Sequence, residues 1–471
     1  MMESSSEIFS WLFVTFVSVA LIPLTVVIYR LTLHPLSRFP GPKVAAATRY
    51  FEGYYDAIQN GKYTHKIAKM HGEYVMPAIL TPYTTEKVAG TNHDVHKRRR
   101  AAMNPFFSKA SVASRQQVVQ ELTTQLCHRL DNLISREVKL AAALGAFTRD
   151  VATEFLLGKS FDNLGAEDFS AGVGNTLQES GAIWRITKHF RWYGPLIQSV
   201  PTWVVKKIGD PGIVECLGFV EDMANTTKAI HAASTNRNTV QDATTIVDTI
   251  LDSDLPPTEK TPDRLKDEII TVAGAAFETT AYSLCKILYH VYADPEVLRR
   301  LRAELVAAGV AGTDASLAKL EKLPYLTAVL TEGLRLSPAI ATRMARVAPD
   351  RDLTYVKWKI PSGTPVGMTL MLMHTDPDLY ADPLHFEPDR WLGQGSKAHK
   401  AYAPFGQGTR MCIGMHLAWA ELYIAIASLV IRFDFKFSPE ALKDVTWASD
   451  QFTIGTEARN RLKAVVRRFN P

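Results

Sequence analysis

The sequence contains few cysteines and no cysteine pair. Its four cysteines, Cys127, Cys216, Cys285 and Cys412, are far apart in the chain. The lack of a C-x-x-C pair argues against a structural zinc site and against the disulfide framework of a small secreted protein. Three of them have apolar neighbours, so we expect them to pack as small hydrophobic side chains. Cys412 differs because it lies among glycines.

The chain also lacks Ser/Gly/Pro-rich linkers, low-complexity runs and internal repeats. Without them, its 471 residues predict one large globular domain, residues 31–471, after a distinct N-terminal segment. The net charge is only +5, and basic stripes with interleaved aromatic residues are missing, so we expect no nucleic-acid partner. A weakly basic face would still suit membrane lipid or an acidic protein.

One long uncharged run is present at the N-terminus. Residues from Ile8 to Tyr29 carry no charge, and as a helix they would extend about 33 Å, enough to cross the hydrocarbon core of a membrane. We interpret residues 1–30 as a membrane anchor, because a cleaved signal peptide would have a shorter apolar run and a small-x-small cleavage site. Acidic residues precede the run and basic residues follow it: Glu3, Glu7, then Arg30, Arg38 and Lys43. This charge asymmetry predicts a single-pass protein with its large domain in the cytosol.

Long helical patterns fill most of the remaining sequence. Thr261 or Asp263 can cap a helix of about 30 residues that Pro295 would end. Two further helical patterns follow, PEVLRRLRAELVAAG and LPYLTAVLTEGLRLSP. Strand patterns come late, in LTYVKWKIPSGTPVGMTLMLMHTDP and in a closing hairpin, VTWASDQFTIGTEARNRLKAVVRR. The predicted fold class is mainly α with small β-sheets.

Cys412 is surrounded by an unusual concentration of glycine, in the stretch FGQGTRMCIG. A thiol becomes a thiolate, and therefore a ligand, when a metal and backbone N–H donors stabilise its charge. Glycines let the backbone approach both the sulfur and a flat cofactor. The following segment, MHLAWAELYIAIASLVIRF, predicts an amphipathic helix whose N-terminal dipole favours an anion. The fixed positions of this pattern are Phe405, Gly408, Arg410, Cys412 and Gly414.

These residues resemble the F-x-x-G-x-R-x-C-x-G motif of the cytochrome P-450 family, the haem-thiolate monooxygenases, in its membrane-anchored form typical of fungal secondary metabolism. The resemblance implies the cytochrome P-450 fold after one transmembrane helix, in the endoplasmic reticulum membrane. It implies haem b, with Cys412 as the axial ligand of the iron and a thiolate that favours oxygen activation. Phe405 would pack against the ligand loop, which Gly414 closes, and Arg410 would meet a haem propionate.

A second family motif is E-x-x-R, present here as Glu332 and Arg335. At this spacing the two side chains share one helical face, where a charge-assisted pair can form. Alone, such a pair is more often an exposed surface pair, but FEPDRW follows it before Cys412. Arg390 in that segment resembles the third member of the family's Glu-Arg-Arg triad, which implies a structural role beside the haem loop.

The basic run HDVHKRRRAAMNPFF could be a solvated helix face. In the family, this region carries W-x-x-x-R, with histidine in place of tryptophan in many fungal members. His96 and Arg100 match that pattern and would bind haem propionates. Arg346 resembles another propionate partner, with Arg343 as the alternative, since an unpaired buried carboxylate is costly.

The segment AAFETT, residues 275–280, resembles the family's oxygen-activating motif in the middle of the long helix. Glu278 and Thr279 would deliver protons during oxygen activation, a task that needs a hydroxyl within reach and an acid in exchange with solvent. Alternatively, Thr279 only bonds back to the carbonyl oxygen of Ala275, as threonines within helices often do. Ala276 stands where the family usually has glycine.

One region departs from the family pattern by its length. Between residues 72 and 93 the chain lacks roughly forty residues that relatives use for sheet strands, a helix and a substrate-capping loop. We take this as a shortened segment of the catalytic domain, in the region that would form the pocket roof.

The resemblance as a whole implies a monooxygenase that hydroxylates or epoxidises a lipophilic small molecule, terpenoid or polyketide-like, in fungal secondary metabolism. The partners would be O2, membrane lipid and an NADPH-dependent reductase. Two alternatives stay open: a haem-thiolate isomerase or dehydratase without a reductase, and an inactive truncated relative that acts as a membrane-bound interaction protein.

Overall fold

The computed structural model describes residues 3–74, 93–190, 192–235, 245–393, 401–457 and 462–469. The chain divides into two compact units, which we describe separately. The first unit combines residues 1–86, 182–195 and 342–369, and the second combines residues 87–181, 196–341 and 370–471. Most of the segment between residues 72 and 93, which we predict to be shortened, lies outside the described residues.

Helices account for most of the described chain. In chain order they are α1 Glu3–Thr32, α2 Lys43–Ala47, α3 Tyr50–Gly53, α4 Tyr63–Tyr74, α5 His93–Met103, α6 Lys109–Ser114, α7 Gln116–Asp131, α8 Leu140–Leu157, α9 Ala171–His189, α10 Tyr193–Gln198, α11 Thr202–Ile208, α12 Pro211–Thr235, α13 Ile246–Leu251, α14 Pro262–Ala293, α15 Pro295–Ala307, α16 Leu317–Leu320, α17 Pro324–Leu336, α18 Leu370–His374, α19 Met415–Arg432 and α20 Leu442–Val445.

The strands are short. They are β1 Glu137–Lys139, β2 Arg346–Val347, β3 Leu353–Tyr355, β4 Trp358–Ile360, β5 Pro365–Val366, β6 Phe433–Phe437, β7 Trp447–Gln451, β8 Thr453–Thr456 and β9 Lys463–Arg468. All pairs are antiparallel, in the order β1-β9-β6 for the largest sheet and as the pairs β2-β5, β3-β4 and β7-β8. The mainly α class with small sheets is therefore confirmed.

The first unit contains α1 to α4, the end of α9 and the strands β2 to β5. Helix α1 runs for 30 residues, which corresponds to about 45 Å. Its C-terminal end is linked to α2, because Arg30 donates a hydrogen bond to the carbonyl oxygen of Ala47 at 3.0 Å. Apolar side chains on α1 such as Leu21, Ile22 and Leu24 are exposed.

The second unit is built around α14, which packs against α8, α12, α17 and α19. The side chain of Thr261 caps α14 by accepting a hydrogen bond from the N–H of Arg264, and Pro262 occupies its first turn. Asp294 ends the helix and caps α15, where its side chain accepts hydrogen bonds from Glu296 and Val297. The predicted helix of about 30 residues is confirmed, with Thr261 as its cap.

The helix after Cys412 differs from its predicted amphipathic character. In α19 every residue from Ala420 to Val430 is buried, because neighbouring helices cover it on all sides. Glu421, which an amphipathic pattern would place at the surface, is 1% exposed. Burial raises the pKa of Glu421 well above its ordinary value, and we expect this side chain to be neutral in the folded protein.

The late strand pattern is confirmed only in part. Residues 353–366 form three strands around the turn at Gly363, which has a φ of +75°. Residues 370–374 form the helix α18 instead of a strand. Leucine and methionine favour helix, and a helical turn places both Met371 and His374 on the buried side. At the C-terminus, β7 and β8 form the predicted hairpin, but β9 pairs with β1 and β6.

Candidate cofactor site around Cys412

The loop before α19 presents open backbone around Cys412. Gly406 and Gly408 adopt φ values of +69° and +77°, which side-chain-bearing residues rarely adopt. The N–H of Cys412 donates a hydrogen bond to the carbonyl oxygen of Phe405 at 2.9 Å and so closes the loop. A methyl group added at Gly406, Gly408 or Gly414 would meet no atom within 4 Å. The glycine side of the loop therefore faces open space.

The thiol of Cys412 is accessible from that space. The residue is exposed by surface area, although protein atoms surround it closely enough that burial raises its pKa; these two facts together indicate a recess. The Gly414 N–H and the charge of Arg100 act in the opposite direction and favour the thiolate. A metal ion bound to the sulfur would stabilise the thiolate further.

Three basic side chains converge beside this loop. Arg100, on α5, donates a hydrogen bond to the carbonyl oxygen of Met411, the residue next to Cys412. Burial lowers the pKa of His96, and the positive charges of Arg410 and Arg100 lower it further. Because these charges are close enough to repel a proton on His96, an anionic group placed among them would be held strongly.

These features fit haem. The accessible thiol can ligate the iron, the bare glycines leave room for a flat macrocycle, and Arg100, Arg410 and His96 can hold propionates. The fit rests on the open glycine face and on the mutual repulsion of the basic groups. Phe405 is partly buried against the main core and lies 6.2 Å from the ring of Trp419 on α19, which fixes the loop from behind.

The structure also brings together Glu332, Arg335 and Arg390. Glu332 and Arg335 are both 0% exposed and form two hydrogen bonds, at 2.8 and 2.7 Å. Arg390 donates to the same carboxylate at 3.0 Å. The carboxylate also accepts hydrogen bonds from the Trp391 indole at 2.8 Å and from the Glu387 N–H at 2.9 Å. Glu332 thus ties α17 to the segment that precedes the Cys412 loop.

His374 extends this network, although no sequence motif predicted a role for this residue. Its Nδ1 lies 3.0 Å from the carbonyl oxygen of Arg335, and its Nε2 accepts the N–H of Ala403 at 3.0 Å. Burial lowers the pKa of His374 to about 4, so the neutral ring with a proton on Nδ1 satisfies both bonds. A single histidine so far from the recognised motifs gives no recognisable pattern in the sequence.

Glu278 and Thr279 lie on adjacent faces of α14. Glu278 lines a cavity of about 660 Å³ together with Arg149, Tyr282 and Cys285. Burial raises the pKa of Glu278 to about 7, and the charge of Arg149 opposes that rise. The Thr279 hydroxyl donates a hydrogen bond to the carbonyl oxygen of Ala275 at 2.8 Å, the local bond considered as the alternative from the sequence. The chemical roles of both side chains remain predictions.

The pKa of Glu278 gives a testable consequence for stability. Its ordinary value is 4.5 and its folded value is about 7, so the unfolded chain loses this proton first as pH rises. Stability should fall between about pH 4.5 and pH 7 and stay reduced at higher pH. We expect Glu278→Gln to raise the free energy of unfolding at pH 8 by about 1 kcal/mol, after allowance for cavity water, and to leave it unchanged at pH 4.

Urea unfolding at the two pH values measures this difference. Asp267→Asn removes a carboxylate from the exposed side of α14 and is the matched control. We expect its effect on the free energy of unfolding to be the same at the two pH values. An equal effect of Glu278→Gln at pH 4 and pH 8 would show that the carboxyl titrates normally in the folded protein.

The two candidate arginines after α17 have different environments. Arg343 is committed to Glu52, with which it forms a buried ion pair. Arg346, on β2, is exposed and donates hydrogen bonds to the carbonyl oxygens of Met344 and Ala345. Both arginines belong to the first unit and Cys412 belongs to the second. The assignment of Arg346 to a propionate stays a prediction.

A buried charge cluster in the first unit had no motif to indicate it. Oxygens of Glu52 and Asp56 and a ring nitrogen of His189 lie within 4.8 Å of one another, a spacing that would suit a metal ion. Lys188 and Arg343 already form ion pairs with these carboxylates. The cations of the protein itself therefore neutralise the acids, and we interpret the cluster as structural.

Comparison with known proteins identifies the family. The chain matches the cytochrome P-450 family over residues 56–457. It is 34% identical to a tryptophan 6-hydroxylase of Fusarium equiseti, over 90% of this chain and 91% of that protein. It is also 34% identical to a conidiogenone synthase of Penicillium rubens, over 87% of this chain and 89% of that protein.

The fold has a counterpart among solved structures. A crystal structure of a cytochrome P-450 aligns with a TM-score of 0.63 and 20% identity, and the alignment covers 80% of this chain and 83% of that one. That likeness supports the fold, and the family match and the relatives support the activity. This chain therefore belongs to the cytochrome P-450 family and is a haem-containing monooxygenase.

Proposed function

We propose that this monooxygenase uses Cys412 as the axial ligand of haem b and hydroxylates or epoxidises a lipophilic small molecule in fungal secondary metabolism. The observation that carries the proposal is the accessible Cys412 thiol beside Arg100, in a loop whose glycines face open space. The relatives support the reaction class, because they include proteins named as hydroxylases and monooxygenases.

Bound through Cys412, haem would supply the activation of O2, and the protein would position the haem and control the movement of protons. Arg100, Arg410 and His96 would hold the propionates, with Arg346 as a further candidate. The Gly414 N–H shares the negative charge of the sulfur. Glu332, Arg335 and Arg390 fix the segment that leads into the loop. Each group thus acts on the position or the charge of the prosthetic group.

Protons reach the reaction through α14. Glu278 has a pKa of about 7, close to the pH at which a proton donor is most effective. Its place on the cavity wall leaves room for water beside the carboxyl group, since the cavity has a volume of about 660 Å³. Thr279, one residue further on, would accept a proton on its hydroxyl oxygen and donate its own hydroxyl proton after that hydroxyl turns away from the carbonyl oxygen of Ala275.

Replacing Thr279 by alanine tests this proton route. We expect NADPH consumption to continue while the product formed per NADPH falls by about 10-fold, because the hydroxyl no longer delivers protons and reduced oxygen escapes as peroxide. Thr271→Ala is the matched control: on the same helix, Thr271 makes the same kind of bond to the carbonyl oxygen four residues earlier, at 2.7 Å. Equal coupling in the two variants would remove Thr279 from the mechanism.

The substrate class rests on the relatives and on the motif resemblance. We propose a terpenoid or polyketide-like compound, in keeping with the relative named as a conidiogenone synthase. The relative named as a tryptophan 6-hydroxylase supports an indole compound as the second candidate class. Screening both classes by substrate-induced shifts of the haem spectrum would separate them.

Electrons would come from NADPH through a flavoprotein reductase. Exposed Lys97 and Arg98 lie on α5, whose inner side carries Arg100, and they supply positive charge for an acidic partner.

The oxygenase and its alternatives differ in their cofactor needs. The oxygenase consumes NADPH only with reductase, an isomerase or dehydratase turns over without it, and an inactive relative lacks stoichiometric haem. Reductase-dependent NADPH consumption, with haem content measured in parallel, is the deciding experiment.

We also propose that residues 1–30 anchor the protein in the endoplasmic reticulum membrane, with the catalytic domain in the cytosol. The uncharged run and the exposed apolar side chains of α1 support this. Among the described residues, the helix long and apolar enough to cross a membrane is Met415–Arg432, and 67% of it is buried in the protein, as expected of a core helix.

Deletion of residues 2–30 tests the anchor. We expect most of the shortened protein to leave the membrane pellet in alkaline carbonate, because the apolar run supplies the insertion energy. The full-length protein should stay in the pellet. A shortened protein that remains as firmly bound as the full chain would place the main membrane contact elsewhere.

A further inference from the structure

Helix α5 carries Arg100 and His96, but little packing holds it in place. Of its residues, Ala102 and Met103 are buried, both at its C-terminal end. The remaining turns are rich in charge, with Lys97 and Arg98 directed to solvent. Because apolar burial fixes a helix only where it occurs, polar contacts must fix the direction of the middle of α5.

Arg99 supplies such a contact on the side opposite the exposed residues. Its guanidinium donates two parallel hydrogen bonds to the carboxylate of Glu259, at 2.8 and 2.9 Å. The side chains of Arg99 and Glu259 are 25% and 22% exposed, so the pair is shielded more than an ordinary surface pair. Two parallel bonds also fix the orientation of the guanidinium, which a single bond would not.

Glu259 connects this contact to α14. Arg264, in the first turn of α14, donates to Glu259 at 3.2 Å and pairs with Glu268 one turn later. Glu268 in turn lies near enough to His96 to favour its protonated form. The crevice between these residues has a volume of only about 10 Å³, room for no more than one water molecule. The chain of ion pairs is therefore closely packed.

We propose that the Arg99–Glu259 pair is a positioning clamp that fixes α5 against the start of α14 and so directs Arg100 and His96 at the propionate side of the haem. Neighbouring residues of α5 thereby have different tasks: Arg99 holds the helix, and Arg100 reaches the Cys412 loop. This inference rests on the proposed haem site, because the clamp acts through residues that would hold that group.

The test measures haem release from the purified full-length holoprotein into excess apomyoglobin. We expect Glu259→Gln to release haem about 10-fold faster than the unchanged protein, at the lower end of what partners of ligating groups contribute. Arg99→Gln should also speed release, and the double variant should be no faster than Glu259→Gln alone, because Arg99 acts through Glu259, whereas Glu259→Gln also removes the bond from Arg264. Glu321→Gln removes the acid of another ion pair, between Lys109 on α6 and Glu321 directly after α16, and should leave the rate unchanged.

The outcomes separate this inference from the proposed function. If the unchanged protein contains no haem, the proposed function fails. If it holds haem and Glu259→Gln releases it within twofold of the same rate, or if the two single effects add in the double variant, the clamp is wrong. If Glu259→Gln purifies without haem, haem release is measured on Arg99→Lys instead, a variant that keeps the charge but loses the two parallel bonds. An unchanged release rate in Arg99→Lys would overturn the clamp. Faster haem release from Glu321→Gln, to the same extent as from Glu259→Gln, would indicate a general loss of stability and would also overturn the clamp.

Discussion

Replacing Cys412 by serine is expected to abolish the red-shifted Soret band that the reduced, carbon monoxide-bound protein gives when haem is held by a thiolate. Serine keeps the size of the side chain but offers an alcohol, which does not ionise near neutral pH. We expect product formation to fall at least about 100-fold, since groups that only support a metal ligand already contribute 10- to 100-fold. The difference spectrum of membranes that contain the full-length chain measures the effect directly.

Cys216→Ser is the matched control for this experiment. Cys216 is a half-buried free cysteine on α12 that packs against the main hydrophobic core, and its thiol takes no part in the Cys412 loop. We expect the band to be retained in this variant. A retained band in Cys412→Ser, or equal losses in both variants, would mean that the iron has another ligand or that haem is not bound as proposed.

The second large effect is expected from Glu332→Gln. The carboxylate of Glu332 accepts five hydrogen bonds from protein donors, although the side chain is 0% exposed. An amide has one acceptor atom in place of two, so its NH2 group would face donors and leave Arg335 without its charge partner. Breaking such a buried pair costs about 3–5 kcal/mol. We expect little folded holoprotein, and urea unfolding with haem content measures the loss.

Glu387→Gln controls for a general effect of removing a carboxylate near Arg390. Glu387 pairs with the same arginine, at 3.5 Å, but its side chain is 48% exposed. Exposed pairs of this kind contribute about 0–1 kcal/mol, so the variant should unfold close to the unchanged protein. A loss in Glu332→Gln no larger than that in Glu387→Gln would contradict the structural role of the buried network.

The predicted elements differ in how well local sequence determined them. The length of α14 was predictable because Thr261 and Pro295 mark its ends, and both act through their own backbone neighbours. The apolar residues of the segment 370–374 allow either a strand or a helix, so local sequence did not determine its conformation. The buried position of His374 depends on its distant partners Arg335 and Ala403. Local preference is weak wherever distant contacts supply the energy.

The residues of the candidate site also differ in how well the sequence identified them. Cys412, Glu332 and Arg335 stand in patterns of fixed spacing, so the sequence alone identified them together with the family. The partners of Glu278 and of Arg99 stand in no such pattern. Arg149 lies far from Glu278 in the chain and lines the same cavity, and Glu259 meets Arg99 across 160 positions. A sequence shows a residue of a site only where that residue stands in a recognisable local pattern.

By itself, the sequence determined the class of this protein and its uncharged N-terminal run, and it predicted the cysteine that would bind haem and the residue pair beside that loop, because each depends on composition or on short spacing. Only the tertiary structure decided that Glu421 and His374 are buried, that Arg343 is paired with Glu52 and that Arg99 is paired with Glu259. The reason is physical: burial and charge pairing depend on which distant segments meet, and the folded core brings those segments together.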